Sequence, residues 1–201
     1  VIFLKGIGQK HQGLEIEGSM KLNDMIRLDG AVSFGKWKFD GDADGLYTEY
    51  AEDTPKQTSY TYTLDGLYVG DQPQTAYVLG TTLTPMDGLR LQGIFKMYDK
   101  NYADWSPDSR ELSGDADRSQ VWQAPAYNRL DLHAAYKLPK IAGYDMTLTG
   151  HLFNALDAVY VQDAVDNSQY NGFGDKLHLA HNAEVFLGTP RYFNLGLSVN
   201  F

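Results

Sequence analysis

Residues 193–201 read Phe-Asn-Leu-Gly-Leu-Ser-Val-Asn-Phe. The odd positions, Phe193, Leu195, Leu197, Val199 and Phe201, are all apolar. The even positions, Asn194, Gly196, Ser198 and Asn200, are polar or small. Side chains alternate between the two faces of a β-strand, so this segment has one oily face and one wet face. Six earlier stretches repeat the pattern: Leu14 to Leu22, Ile26 to Gly35, Tyr77 to Leu83, Leu89 to Met97, Leu130 to Leu138 and Met146 to Leu152. In the second of these, Ile26, Leu28, Val32 and Phe34 oppose Arg27, Asp29, Ser33 and Gly35. Most runs are about nine residues long, which suits a tilted membrane-spanning strand and exceeds the ~5–6 residues usual in soluble sheets.

The gaps between the runs alternate short and long. Asn23–Met25, Thr84–Gly88 and Pro139–Asp145 are short. The segments 35–73, 98–129 and 153–192 are long. Short turns at one end and long loops at the other are the habit of outer-membrane barrels. A soluble sandwich has no reason to place every long connection at one end. The long segments hold 19 of the 26 acidic residues and 9 of the 17 basic ones, a net charge of −10 against +1 for the remainder. Aromatic residues gather where strands enter these loops: Trp37, Tyr98, Tyr102, Trp105, Trp122, Tyr127 and Tyr160, with Tyr136 and Tyr144 near a short turn. They are expected to form the interfacial girdles of a barrel, the competing reading being packing or binding within the loops.

Seven strands do not close a barrel of even count, and an open edge in lipid leaves backbone groups unpaired at several kcal/mol each. More strands are therefore expected before Val1, or within the long segments, where Ser59 to Tyr68 could supply one or extend the wall above the membrane. The apolar start, Val1 to Leu4, is too short for the core of a signal peptide. Residues 1–201 are thus expected to be the C-terminal segment of one barrel domain within a longer polypeptide. No stretch reaches the ~20 apolar residues of a membrane helix. The absence of cysteine excludes disulfides and thiolate metal sites. Charged lumen-side residues suggest a wide interior, wet or plugged.

Three places resemble TonB-dependent outer-membrane receptors. Phe153-Asn154-Ala155-Leu156-Asp157-Ala158-Val159-Tyr160 is similar to that family's Asn-Leu-Phe-Asp-x-x-Tyr segment on the penultimate strand. Leu156 stands where Phe is commoner, and Phe153 replaces a usual Asn. Gly66 to Thr75 resembles the family's Gly-rich, Pro-containing lead-in to a strand. Pro190-Arg191, ahead of a strand ending in Asn200-Phe201, resembles its last strand, whose terminal aromatic is read by the barrel-assembly machinery. The wording around Gly70 to Gln74 and Tyr102 to Pro107 is similar to receptors of the Bacteroidota type. The resemblance implies strands 16 to 22 of a 22-stranded barrel. It also implies active uptake of a scarce solute: an iron chelate, cobalamin or a glycan. The partners it implies are outer-membrane lipid, the rest of the barrel and plug, the TonB complex reached through the N-terminal part, and in some members a surface lipoprotein.

Candidate sites are few, and ligand binding is expected in the three long loops. Asp40-Gly41-Asp42-Ala43-Asp44-Gly45 begins like an EF-hand calcium loop, but the twelfth position is Ala51, with Glu52 one residue late, and helical flanks are missing. A solvated acidic loop is the simpler reading. His178 and His181, with Asp175 nearby, could hold a metal if the loop coiled into a helical turn. His133 and His151 face the lumen on neighbouring strands. Catalytic motifs are missing, and paired acids such as Glu15 and Glu17 read as solvated wall charges. The acidic balance argues against nucleic acid. A passive porin and a soluble carbohydrate-binding sandwich are the alternatives. A plug domain upstream would separate the first from a receptor, and solubility without detergent would support the second.

Overall fold

The computed structural model describes all residues except Val1, 51–54, 108–109, 112–116, 141–142, 169, 171–176 and Phe201. Ala51, Glu52, Asp175 and the terminal aromatic therefore lie outside the described residues.

Seven strands form one antiparallel sheet in simple meander order. They are β2 (Gln9–Lys21), β3 (Ile26–Phe39), β6 (Thr75–Met86), β7 (Leu89–Asp99), β11 (Tyr127–Lys137), β12 (Asp145–Phe153) and β15 (Tyr192–Asn200). Each contains the alternating run expected from the sequence. Several extend further toward the loops; β2 and β3 pair over 13 residues, from Gln9 opposite Phe39 to Lys21 opposite Arg27. All three short connections lie at one end of the sheet. Asn23 shapes the first, its Oδ1 accepting from the backbone N–H groups of Met25 and Ile26 at 2.9 Å, an Asx turn. In the second, Asp87–Gly88, Gly88 takes φ +81, which any side chain would resist.

The sheet is staggered. A line of paired residues runs Lys21, Arg27, Thr82, Gln92, His133, His151 and Asn194. It leaves β2 at its last residue and reaches β15 at its third, near the opposite end of the wall. Successive strands are thus displaced along their axes, the shear that barrel closure requires. The apolar face carries no covering protein layer among the described residues: Leu195 and Leu197 are 73% and 60% exposed, and Leu14, Ile16, Leu79 and Leu148 are also exposed.

The chain's hydrophobic core lies elsewhere, in a lobe built by the long connections above the sheet. Three small sheets make it. β1 (Ile2–Lys5), β4 (Ala43–Glu49) and β5 (Lys56–Tyr62) form one. β8 (Asn101–Tyr102) pairs with β10 (Gln123–Ala124). β13 (Val161–Asp166) joins β14 (Glu184–Leu187) and, in parallel, β9 (Asp104–Trp105). Phe39, Tyr62, Leu64, Leu67, Trp105 and Val121 are buried together, with Trp105 edge-on to Phe39 at 6.4 Å. The stretch Ser59 to Tyr68 therefore does not add a strand to the wall. Its first part pairs with β4, Leu64 and Leu67 fill the lobe, and Tyr68 bridges to Lys38.

Candidate functional site

The wall passes into the lobe through two joints. At the first, β3 and β6 diverge after Phe34 and Thr75. Gln74 then stands in for a missing strand. Its Oε1 accepts from the Trp37 N–H at 2.9 Å, and its Nε2 donates to the Trp37 carbonyl at 3.1 Å and to the Val69 carbonyl at 3.3 Å. Gly70 packs against the backbone of Ala103 and Asp104 so closely that a Cβ would fall 2.6 Å from the Asp104 nitrogen.

The second joint follows β12. Asn154, fully buried at φ +48, accepts on its side chain from the Ala158 N–H (3.0 Å) and donates to the carbonyls of Ala158 (2.9 Å) and Thr189 (3.2 Å). Its own N–H donates to Asp131 on β11 at 2.9 Å. Asp131 also meets Lys96 at 2.9 Å and Arg129 at 3.6 Å. Asp157 accepts from the Arg191 N–H at 3.0 Å, which sets the start of β15. Tyr160 accepts from Arg129 at 3.2 Å and stacks on Tyr127 at 4.3 Å, and Tyr127 in turn lies 5.1 Å from Tyr98.

These contacts correct the aromatic girdle expected at the outer end. Tyr98 and Tyr127 continue the polar face of β7 and β11, and Trp37, on the polar face of β3, stacks on His11 at 5.3 Å. Tyr102 stacks on Tyr68 at 4.1 Å, Trp105 belongs to the lobe core, and the carbonyl of Trp122 accepts from Ala103. Composition alone does not distinguish a lipid-facing aromatic from a lumen-facing one at a strand end. Parity with the charged residues of the same strand does, and it places Tyr98, Tyr127 and Trp37 on the lumen side.

The lobe holds a buried ionic cluster that sequence reasoning did not assemble. Arg110 and the side chain of Asp166 are fully buried. Arg110 donates to the backbone carbonyls of Ser119 (2.7 Å) and Asp117 (3.4 Å) and to the Asp166 carboxylate at 3.4 Å. His178 lies between Asp166, which bonds Nδ1, and Asp117, which accepts from Nε2 at 2.6 Å. Burial opposes protonation of His178, but these two hydrogen bonds outweigh it and hold its pKa above the ordinary value. Burial also disfavours the Asp117 carboxylate, yet the Ser119 N–H, His178 and Arg110 together hold its pKa low. Arg110 and His178 thus face Asp117 and Asp166 in one cluster. The Arg110 carbonyl accepts from the Thr63 N–H at 2.8 Å, so all three long segments meet here.

A less balanced group lies nearby. Asp71, Asp104 and Asp163 converge from the same three segments. Partial burial, a hydrogen bond to Asp163 and repulsion from Asp104 push Asp71 up to about 6, and burial raises Asp104.

The metal candidates are not gathered. Asp42 takes a two-pronged bond from Arg118 (3.1 and 2.7 Å) and accepts from the backbone of Leu64 and Asp65. Asp44 lies on β4 and accepts from Thr61 at 3.0 Å. Asp40 uses its N–H to bond Gly8. The three begin a hairpin rather than a loop around one point. His178 is taken into the ionic cluster, and the helical turn, Ala180–Asn182, begins after it. Among the described residues no group of three or more His, Asp or Glu is disposed to hold a metal. His133 and His151 are directly opposed on β11 and β12, on the polar face as expected.

A meander of long, sheared, alternating strands with bare apolar flanks and a folded lobe at one end defines the wall of an outer-membrane β-barrel. The family described as TonB dependent receptor-like, beta-barrel matches residues 3–155, about three quarters of the chain, and the chain belongs to it. Its place is the bacterial outer membrane, its flanks meet lipid, and its work is TonB-dependent transport. No curated protein matches.

Proposed function

We propose that this chain is the wall and outer lobe of an energised receptor that captures a scarce solute, an iron chelate, cobalamin or a glycan, and passes it inward. The observation that carries this reading is the lobe. Three long segments that a passive pore would leave as separate loops are locked into one body over the mouth, by the Leu64–Trp105 core and the Arg110 cluster. Beside this body stand the lumen-facing rings of Tyr98 and Tyr127, backed by the buried Tyr160 and by Arg129 at the entrance. Flat rings and a cation suit the faces of sugars, corrinoids and chelates alike. A plug in the lumen and an N-terminal segment reaching the TonB complex complete the transporter, and a surface lipoprotein would cap the lobe in the glycan case.

The test is uptake by cells carrying the full-length protein or its deletion, with one labelled solute of each class. Uptake that needs the protein and collapses with the proton gradient is expected. Uptake that continues without the gradient would favour the passive porin instead.

A further inference from the structure

We propose that His133 and His151 form a two-histidine site on the lumen face for a divalent transition-metal ion of square or tetragonal preference, Cu2+ or Ni2+. The two residues are paired across β11 and β12. Their Nδ1 atoms share a hydrogen bond 2.9 Å long, one ring donating to the other, and the ring planes meet at 60°; a cation between them would take the place of that proton, which moves to Nε2 of its own ring. Two imidazole nitrogens each ~2.0–2.1 Å from one cation and this far apart subtend about 90° at it. That is the angle between adjacent corners of a square, and narrower than the ~109° between ligands of a tetrahedral site. Tetragonal sites of nitrogen and oxygen select Cu2+ or Ni2+, and Cu2+ binds most tightly in the divalent series.

The pair is held in position. Phe153 lies against both rings, at 5.4 Å from His133 and 6.0 Å from His151, and is itself stacked on Tyr192 at 4.7 Å. Rings braced in this way lose little freedom on binding. Ligation at both Nδ1 atoms requires each ring in its Nε2–H form, so two neutral rings bind the cation without releasing a proton. Gln92 stands directly across β7 from His133, and Asn194 directly across β15 from His151, so amide oxygens and water are at hand for the remaining positions.

Charge around the pair narrows the choice further. Arg90 shares the same concavity. Lys96 is neutralised by Asp131 at 2.9 Å. The guanidinium repels every divalent cation alike; it is the lack of a carboxylate in the pair that disfavours Ca2+ and Mg2+, which need several oxygen ligands. The other histidines are differently engaged: His11 bonds Gln9 and stacks on Trp37, and His178 is inside the lobe cluster.

The experiment is Cu2+ titration of the full-length protein in detergent, followed by electron paramagnetic resonance. An axial spectrum with hyperfine structure from two nitrogens, at one Cu2+ per protein, is expected. His133→Gln and His151→Gln should each weaken that binding by about tenfold or more, with the boiling-dependent gel shift of a folded barrel retained. His181→Gln should leave it unchanged. A spectrum that survives both wall substitutions, one that disappears with His181→Gln, or no saturable Cu2+ binding to the folded protein would each overturn the proposal. Phe153→Leu supplies a second measurement, because it leaves both ligands in place. Weaker binding with the same two-nitrogen spectrum is expected, and an unrelated spectrum would count against the geometry.

Discussion

Gln74 hydrogen-bonds both backbone groups of Trp37, the N–H at 2.9 Å and the carbonyl at 3.1 Å, with one side-chain amide. A primary amide carries the same donor and acceptor as a peptide unit, so Gln74 continues the β3 ladder where the β6 backbone turns away. The side chain is nearly inaccessible. Gln74→Leu keeps the volume and removes the bonds, taking from the Trp37 N–H its partner at a cost of about 1–3 kcal/mol, while the Trp37 carbonyl still accepts from the Val69 N–H. Faster hydrogen exchange at Trp37, with the strands below unaffected, is the expected result. Unchanged exchange would show that the joint is held by other contacts.

Arg110→Ala removes the centre of the buried cluster and leaves His178 alone between Asp117 and Asp166. Breaking a buried ion pair from one side typically costs about 3–5 kcal/mol. The lobe should become open to protease while the wall keeps its resistance, because the wall's ladder does not pass through Arg110. Arg110→Lys should rescue only in part, since one ammonium does not span two backbone carbonyls and a carboxylate. Equal resistance in wild type and Arg110→Ala would refute the cluster's structural role.

Acidity should act on the lobe with a definite sign. His178 has a raised folded pKa, so its stabilisation is complete below its ordinary value of 6.5 and is lost as pH rises through the folded value. Asp117 has a lowered folded pKa, so its contribution is present above 3.8 and is lost as pH falls through the folded value. Limited proteolysis of the lobe across pH should be slowest between these limits. His178→Asn should flatten the alkaline side and also weaken the acid side, because His178 helps hold the Asp117 pKa low.

Within that same range, and in the opposite direction to Asp117, Asp71 should act on the lobe. Its folded pKa of about 6 exceeds the ordinary 3.8, so the folded lobe holds a proton that the unfolded chain has lost, and stability falls as pH rises from 3.8 to 6. Asp71→Asn removes that charge, and asparagine tolerates the φ of +67 found there. The variant should resist protease better than wild type at pH 7 and no better at pH 3.5. A loss of stability at pH 7 would mean that the carboxylate is needed in its charged form.

The two faces of the wall can be told apart by one residue step. Leu148→Arg puts a charge on the lipid side and should cost about 2–4 kcal/mol if the site is near the bilayer midplane. Thr149→Arg, on the lumen side, should cost far less. Folding yield into vesicles of defined lipid measures both. The reverse order would exchange the two faces.

The sequence by itself determined the wall. Each strand of a barrel must satisfy hydrocarbon on one side and water on the other, and the pleat turns that demand into a period of two readable over nine residues, as in Phe193 to Phe201. Turn residues marked the short ends for the same local reason: Asn23 and Gly88 act within a few positions of themselves. The resemblance around Asn154 and Asp157 also pointed to a real joint, although its meaning, a buried amide bonded to Ala158 and Thr189 beneath Arg191, needed coordinates. Only the tertiary structure decided the lobe. Asp42 with Arg118, Thr63 with Arg110, and Arg110 with His178 are 76, 47 and 68 residues apart. No period links such partners, and a carboxylate reads the same in sequence whether it meets calcium, water or a guanidinium. What separates these outcomes is which long segments pack together, and that depends on burying Leu64, Leu67 and Trp105 in one place.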